Sequence, residues 1–437
     1  MKYSACLLPL ALIAAPVAAQ TAQTAQTAQT GQSVQAGQSA QDTAQRALAQ
    51  APVWDGHNDV PYALRALYRN VIGAFDFNDT SAAAPDHPAG RAMHTDIPRL
   101  RQGKVGAQFW SVYVPADLVG AQAVQTTLEQ IDVTKRLIAR YPADLSLAVT
   151  ADQVESAMAQ GKIASLIGME GGHSVNSSLA VLRQMYALGA RYMTLTHSKN
   201  TPWADSATDT PEHDGLTDFG KDLVREMNRM GMLVDLSHVS EKTMHDALDV
   251  ARAPVMFSHS GVRGISGHAR NVPDNVLRRL PNNGGVVMVA AYPTFVSEQV
   301  RQYIGRRAAE AARQDSLWPG SPEQAASGLA LWEKAHPMPQ AQLSEMADHI
   351  DRIRAVAGIN HIGIGGDFDG IPTTVAGMDD VSAYPALFTE LARRGYSQSD
   401  LEKIASRNMM RVMRSAELYA ASQIGQPPIE TPVAARK

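Results

Sequence analysis

The sequence has one cysteine in 437 residues. That residue, Cys6, lies inside an apolar N-terminal run, MKYSACLLPLALIAAPVAAQ, and not where a lipid-modified cysteine would sit. Once that run is removed, the chain holds no disulfide, no thiol nucleophile and no cysteine ligand for zinc. Charge of one sign is also scarce: 39 Lys and Arg stand against 43 Asp and Glu, a formal net of −4. Nucleic-acid binding would show as a basic excess or stripe, so the balance favours a small-molecule or peptide substrate. Beyond residue 19 no apolar stretch is long enough for a membrane span. The C-terminal PPIETPVAARK is polar and carries no cleavable anchor signal. No Gly-rich dinucleotide fingerprint follows an early strand-like segment, which argues against an open doubly wound sheet.

The opening residues have Lys2, an apolar run from Ala5 to Val17, and small residues ending at Ala19. This is the pattern of a bacterial-type secretory signal, cut after Ala19, with a periplasmic or secreted mature chain. Residues 20–50 repeat Gln, Ala and Thr with almost no bulky apolar side chains. They read as a flexible tether that turns helical near residues 43–50. The folded domain is expected over residues 51–420, with a flexible tail over 421–437. At 45% hydrophobic residues, the chain can bury a large core, either as one large α/β barrel or as two ordinary domains.

Short β-rich runs alternate with helical patterns through the domain. The strand candidates are Val53-Trp54, Ala107 to Val114, Ile163 to Gly168, Tyr192 to Leu195, Leu233 to Leu236, Val255 to Phe257, Val286 to Val289 and Ile362 to Gly365. Helical patterns lie between most of them, as at Ala123 to Tyr141, Leu179 to Leu188, Asp218 to Met230 and Lys242 to Ala251. Such alternation predicts a parallel sheet, and eight strands predict an α/β fold of the closed (β/α)8 TIM-like barrel type. Residues 298–342 are too long for a barrel loop. A helical stretch from Glu298 to Gln314 is followed by Pro319, Pro322, Pro337 and Pro339. This segment is expected to be a helical insertion after the seventh strand, part of a lid or an oligomer contact.

An imidazole or carboxylate follows six of the eight strands. His57 and Asp59 follow the first, in DGHND. Glu170 follows IASLIGM, His197 follows YMTLT, His238 follows LVDLS, His259 follows VMFS and Asp367 follows IGIGG. In a parallel barrel these strand ends share one face, where active sites are built. His57 and Asp59, two apart on an extended segment, point to the same side. Histidine nitrogens and carboxylate oxygens suit zinc, and also manganese, iron or cobalt. Three histidines and two carboxylates exceed the needs of one tetrahedral catalytic ion. They suit two ions about 3.5–4 Å apart that share a carboxylate. Glu170, from a strand between the two ligand groups, is placed to bridge.

Single residues carry little of this weight. A histidine after a strand is most often a hydrogen-bonded turn residue; the joint placement is what points to metal. Asp55 and Asn58 read as turn or supporting groups. Asp369, in GGDFDG, competes with Asp367 as the functional acid but lies farther from the strand. His173, in EGGHS, reads as a loop or supporting group. His87, His94, His213, His245, His268, His336, His349 and His361 are expected to be solvated.

The segments WDGHNDVP, TDIPRLRQGKVGAQFWSVYVP, MEGGHS, MTLTHSKNTPW, DLSHVS, HARNVPD and GIGGDFDG occur in that order. On these motifs, over about residues 50–415, the chain resembles the membrane dipeptidase (renal dipeptidase, M19 peptidase) family. The resemblance implies a (β/α)8 metallo-hydrolase that cleaves dipeptides, with two zinc ions per subunit and a hydroxide bridging them. It implies that His57 and Asp59 hold one zinc, that Glu170 bridges, and that His238 and His259 hold the second. It implies that His197 contacts the substrate and steadies the transition state. Arg270, before NVPD, would bind the terminal carboxylate, and Asp367 would transfer protons. A homodimer is implied too, here without the disulfide of the animal members. The absence of an anchor signal departs from those members. So does the expanded 298–342 segment, expected where part of the substrate pocket wall would form.

Two other functions fit the same residues. One is a related amide or β-lactam hydrolase on the same scaffold, which free and N-blocked dipeptides would separate. The other is a non-catalytic periplasmic binding protein, which would have no use for Asp367.

Overall fold

The computed structural model describes residues 1–2, 38–82 and 92–431. Nine strands form one sheet: β1 (Val53–Asn58), β2 (Val105–Tyr113), β3 (Leu145–Leu147), β4 (Ile163–Glu170), β5 (Ala190–Thr194), β6 (Leu233–Asp235), β7 (Met256–Ser260), β8 (Val286–Val289) and β9 (Ile362–Ile364). Their order is β2-β1-β9-β8-β7-β6-β5-β4-β3, and β2 also pairs with β4. That pairing, in register from Ala107 with Ala164 to Tyr113 with Glu170, closes eight parallel strands into a barrel. Every expected strand is present. The addition is β3, which lies along Ile163–Ser165 before β5 takes over that edge of β4 at Ile167. At three residues it is too short to leave a periodic signal.

Alternation along the strands sets what points inward. On β4, Ala164 and Leu166 belong to the cluster inside the barrel, while Ile163, Ile167 and Met169 pack outward against helices. Continuing that period of two puts Glu170 at the open end of the barrel interior. On β2 the same parity sends Ala107 and Phe109 inward and Trp110 and Val112 outward. It brings Ser111 and Tyr113 to the rim beside Glu170. Gly168 is the inward residue just below Glu170. A Cβ there would overlap the Tyr192 ring, so the missing side chain is what lets that ring fill the barrel centre.

The helices stand where the sequence pattern put them. The helix Asp218–Met230 starts at Thr217, whose side chain accepts the Gly220 N–H, and stops at Gly231 in the left-handed conformation. The insertion after β8, the seventh wall strand, is a helical hairpin of Glu298–Leu317 and Pro322–Ala335. The two arms meet through Tyr303 and Trp332, with ring centroids 5.7 Å apart. Pro322 opens the second helix instead of breaking one, because its fixed φ and missing N–H suit a first turn. The wall of the cavity described below is drawn from Tyr292 and Phe295, ahead of the hairpin, and residues 298–342 are not among its lining residues.

Stretches on both sides of the expected 51–420 domain make contact with it. Residues 38–50 are helical, with Ala44, Ala47 and Leu48 in the main core, so the folded unit starts before Ala51. Periodic small alanines gave too weak an apolar signal to show this. In the tail, the Ile429 carbonyl accepts from Arg183 at 3.2 Å and its N–H donates to Glu226 at 3.2 Å. The expected signal sequence, beyond Met1 and Lys2, lies outside the described residues, as does most of the tether. Among the described residues no helix is long and apolar enough to cross a membrane.

Candidate metal centre

All eight residues singled out by the sequence meet at the C-terminal end of the barrel. Glu170 is at the middle. Its Oε2 lies 3.5 Å from His57 Nε2, and its Oε1 lies 3.0 Å from His238 Nε2 and 3.4 Å from His259 Nε2. His57 Nε2 is also 3.2 Å from Asp59 Oδ2. His238 Nε2 and His259 Nε2 face each other at 2.9 Å. The one carboxylate thus turns each oxygen to a different ligand group. His197 Nε2 is 3.6 Å from Glu170 Oε1, and its ring stands 4.1 Å from that of His238. Ser111 Oγ donates to Glu170 Oε2 at 3.1 Å.

The residues fit a cation. His57 Nε2 is buried with no hydrogen-bond partner among the described residues, although its other nitrogen is held by Tyr192 OH at 2.8 Å. An imidazole fixed on one side and bare on the other, facing carboxylates, is the arrangement of a metal ligand. Ligand atoms of His57, Asp59 and Glu170 lie within 4.8 Å of one another, and so do those of Glu170, His197 and His238. A third such group joins His57, His259 and Asp367.

Electrostatics follow from burial and this crowding. Burial would raise Glu170, but His57 first, and the His238 and His259 rings close beside it, hold it well below the usual carboxylate range. Burial works against a charged His57, yet Tyr192, Glu170 and Asp59 raise it well above its ordinary value. Burial first, then the cations around them, push His238 and His259 well down, and bring His197 to about 4. Asp367 is raised well above the carboxylate range by burial, helped by Asp59 and Glu170 against His57 and Arg270. Arg270, fully buried, is lowered by burial to about 10.

The surroundings form a cavity of about 360 Å³, toward the small end of ligand sites of roughly 300–1,000 Å³. Tyr62, Tyr113, Tyr292, Phe295, Ile371 and Pro372 supply its apolar and aromatic wall. Arg270 lies 5.1 Å over the Phe295 ring and donates to the His259 carbonyl at 3.2 Å, while its Nε has no partner among the described residues. Asp367 is 8% exposed at φ +62°, with its N–H donating to the His57 carbonyl at 3.1 Å. His238 and Asp369 also sit at positive φ, +70° and +67°. Such backbone costs on the order of 1–3 kcal/mol each and gathers at functional sites. A larger open cleft beside Arg65 and Arg136 lies elsewhere, with those cations paired to Glu129 and Asp132 at 2.7 Å each.

The chain matches the family described as membrane dipeptidase (peptidase family M19) over residues 41–426. It belongs to the M19 membrane dipeptidase family. Dipeptidase 3 of Rattus norvegicus is 40% identical over 395 residues, covering 89% of this chain and 70% of that relative. Dipeptidase 3 of Mus musculus is 39% identical over 395 residues, covering 89% and 69%. Among solved structures, a probable dipeptidase, PvdM, from Pseudomonas aeruginosa superposes with a TM-score of 0.73 at 23% identity, over 88% of this chain and 100% of that one. A metallo peptidase from Rhodobacter sphaeroides, liganded with a phosphinate mimic of the dipeptide L-Ala-D-Ala, gives 0.66 at 23% identity, over 84% and 99%. At these identities the two structures speak for the fold. Membership makes the protein a metallo-dipeptidase of the M19 type.

Within this M19 site, the supporting groups sort themselves by hydrogen bonds. Asp55 faces away from the ligands: its Oδ1 accepts the His57 N–H at 3.0 Å and the Gly366 N–H at 2.9 Å, and its Oδ2 accepts from Tyr384 OH. Burial raises it to about 6. Asn58 bonds Thr95 and the Val60 N–H. His173 reaches the Val114 carbonyl at 3.2 Å. Asp369 pairs reciprocally with His94: it accepts the His94 N–H at 2.7 Å, and its own N–H donates to His94 Nδ1 at 3.0 Å.

Most of the histidines expected in solvent are not there. His94, His349 and His361 are buried, and His213, His245 and His268 are half-buried; His336 is exposed, and His87 lies outside the described residues. Each buried ring finds backbone partners, as His349 does between the Val262 N–H and the Val296 carbonyl, and polar sequence neighbours do not report such contacts. Sequence reasoning also missed Tyr192, which bonds His57, Ser258, which bonds His259, and Asp235, which bonds Ser258. For Asp235 a signal existed: a carboxylate ends an otherwise apolar strand three residues before His238.

Proposed function

We propose that this M19 enzyme is a zinc dipeptidase with two ions per chain, His57 and Asp59 holding one, His238 and His259 the other, and Glu170 bridging. The observation that carries the proposal is the divided attention of Glu170, with Oε2 toward His57 and Oε1 toward His238 and His259. When bound, a zinc pair supplies a hydroxide nucleophile near neutral pH and polarises the scissile carbonyl.

The chain's own residues do the rest. Arg270 presents a planar fork to the substrate's terminal carboxylate, in a buried setting where a charge-assisted pair is strong. His197, held to about 4 by burial and by Arg270, His173 and His57 against the pull of Glu170, is neutral at pH 7 and can donate one N–H to the developing oxyanion. Asp367 takes a proton from the attacking water and returns it to the leaving amine, a role suited to a carboxyl raised well above its ordinary range by burial. The aromatic wall excludes solvent from the cleaved bond. The N-terminal sequence supports a periplasmic or secreted location.

Zinc content and hydrolysis of a panel of free and N-blocked dipeptides, measured on purified mature protein and on His238→Ala, test this. Two zincs, free dipeptides cleaved, and loss of both zinc and turnover in the variant are expected. A variant that keeps both would overturn the ligand assignment. Cleavage of blocked substrates alone would overturn the dipeptidase specificity.

A further inference from the structure

We propose that Asp235 and Ser258 are positioning residues: through a hydrogen-bond relay they fix which nitrogen of His259 carries its proton, and so leave the other bare for metal. This deepens the two-zinc proposal and rests on it.

Asp235 ends β6 and is fully buried. Four donors converge on its two oxygens. Oδ1 accepts the Ser258 N–H at 2.8 Å and the Ser237 N–H at 3.1 Å. Oδ2 accepts from Thr194 Oγ1 and from Ser258 Oγ, each at 2.6 Å. None of these contacts calls for a proton on the carboxylate. Ser258 has a single hydroxyl proton. A carboxylate at 2.6 Å takes it in preference to Ser237 Oγ at 3.4 Å. The Ser258 oxygen is then an acceptor toward His259 Nδ1, 2.8 Å away. That nitrogen must therefore carry the hydrogen. His259 Nε2 is left with its lone pair, aimed at Glu170 Oε1 and at His238 Nε2.

The same logic fixes no other ligand. Tyr192 OH, beside His57 Nδ1, can donate or accept. His238 Nδ1 has no partner among the described residues. Asp235 thus sets one half of the centre from outside it, with a hydroxyl between carboxylate and imidazole. A competing explanation is that Asp235 merely braces β5, β6 and β7, since its donors come from all three strand ends.

Two variants separate these. Thr194→Val removes one bond to Asp235 but leaves Ser258 and His259 untouched. Ser258→Ala removes the relay. Zinc affinity is read by competition with a chelator, alongside Tm, in wild type and both variants. The relay predicts that Ser258→Ala weakens one of two zincs by about ten- to hundredfold, while Thr194→Val binds both as wild type does, although both lower Tm. Equal zinc affinity in Ser258→Ala and wild type overturns the relay, and so does equal weakening in the two variants. A wild type that binds fewer than two zincs overturns the metal assignment itself. Should Ser258→Ala not fold, Ser258→Cys, of similar size but a weaker partner, is expected to show a partial loss; unchanged affinity there overturns the proposal equally.

Discussion

Asp367→Asn removes a proton carrier with little else. The side chain keeps its shape, and asparagine tolerates the left-handed backbone that Asp367 adopts at φ +62°. The bond from its N–H to the His57 carbonyl, at 3.1 Å, belongs to the backbone and survives. The fold and both zincs should therefore persist. What is lost is a carboxyl that burial, with Asp59 and Glu170, raises well above its usual range, so that it can hold a proton and release it. Positioned proton transfer contributes about 10²–10⁴-fold, so kcat should fall by that factor, about 3–5 kcal/mol in the barrier. KM should change little, because Arg270 is intact. The assay is steady-state hydrolysis of a free dipeptide, with zinc quantified on the same sample. A kcat within about threefold of wild type would remove Asp367 from the proton path. Loss of a zinc would make Asp367 a ligand, a role its closeness to His57 and His259 allows sterically.

Other outcomes follow from the same contacts. Tyr192→Phe leaves His57 Nδ1 buried without its 2.8 Å partner, and should weaken zinc about 10–100-fold in a chelator competition; unchanged affinity would discount that contact. Arg270→Lys swaps a fork for a point charge in a buried site, and should raise KM for dipeptides by about tenfold or more, with kcat less affected; an unchanged KM would remove Arg270 from carboxylate binding. In Gly370→Ala the new methyl would collide with Asp59 Oδ2 and Asp367 Oδ1, so zinc and turnover should both drop; normal zinc content would contradict that packing. His349 gives a pH effect away from the metal. Burial lowers it from 6.5 to about 4, so the unfolded chain takes up its proton first as pH falls. Its contribution is present above pH 6.5 and is lost between there and about pH 4, on the order of 3 kcal/mol in all. His349→Gln should flatten the fall in Tm over that window, and an identical slope would refute it.

The barrel and its rim were legible because they rest on patterns that the backbone itself imposes. Strands of a parallel sheet buried on both faces read as apolar runs, and the residue after each run lands on one face of the barrel whatever the distance along the chain. Glu170 is the clearest case, since the inward parity of Ala164 and Leu166 carries straight to it. What stayed hidden depends on pairs far apart in sequence. Tyr192 reaches His57 across the barrel because Gly168 leaves room, and neither residue alone carries that message. Asp369 with His94, a loop residue before the helix Ile97–Gln102, and Asp235 with Ser258 on the next strand, are likewise contacts between separate segments. The start of the helix over 38–50 was underread for another reason: buried alanines signal little in a Gln/Ala/Thr repeat, yet Ala44 and Ala47 join the main core.

The most direct test of the central claim is anomalous diffraction at the zinc absorption edge from crystals of the zinc-loaded enzyme. A bridged pair predicts two peaks per chain, about 3.5–4 Å apart, on either side of the Glu170 carboxylate, one beside His57 and Asp59 and the other beside His238 and His259. A single peak at full loading, or a pair that does not share Glu170, would contradict it.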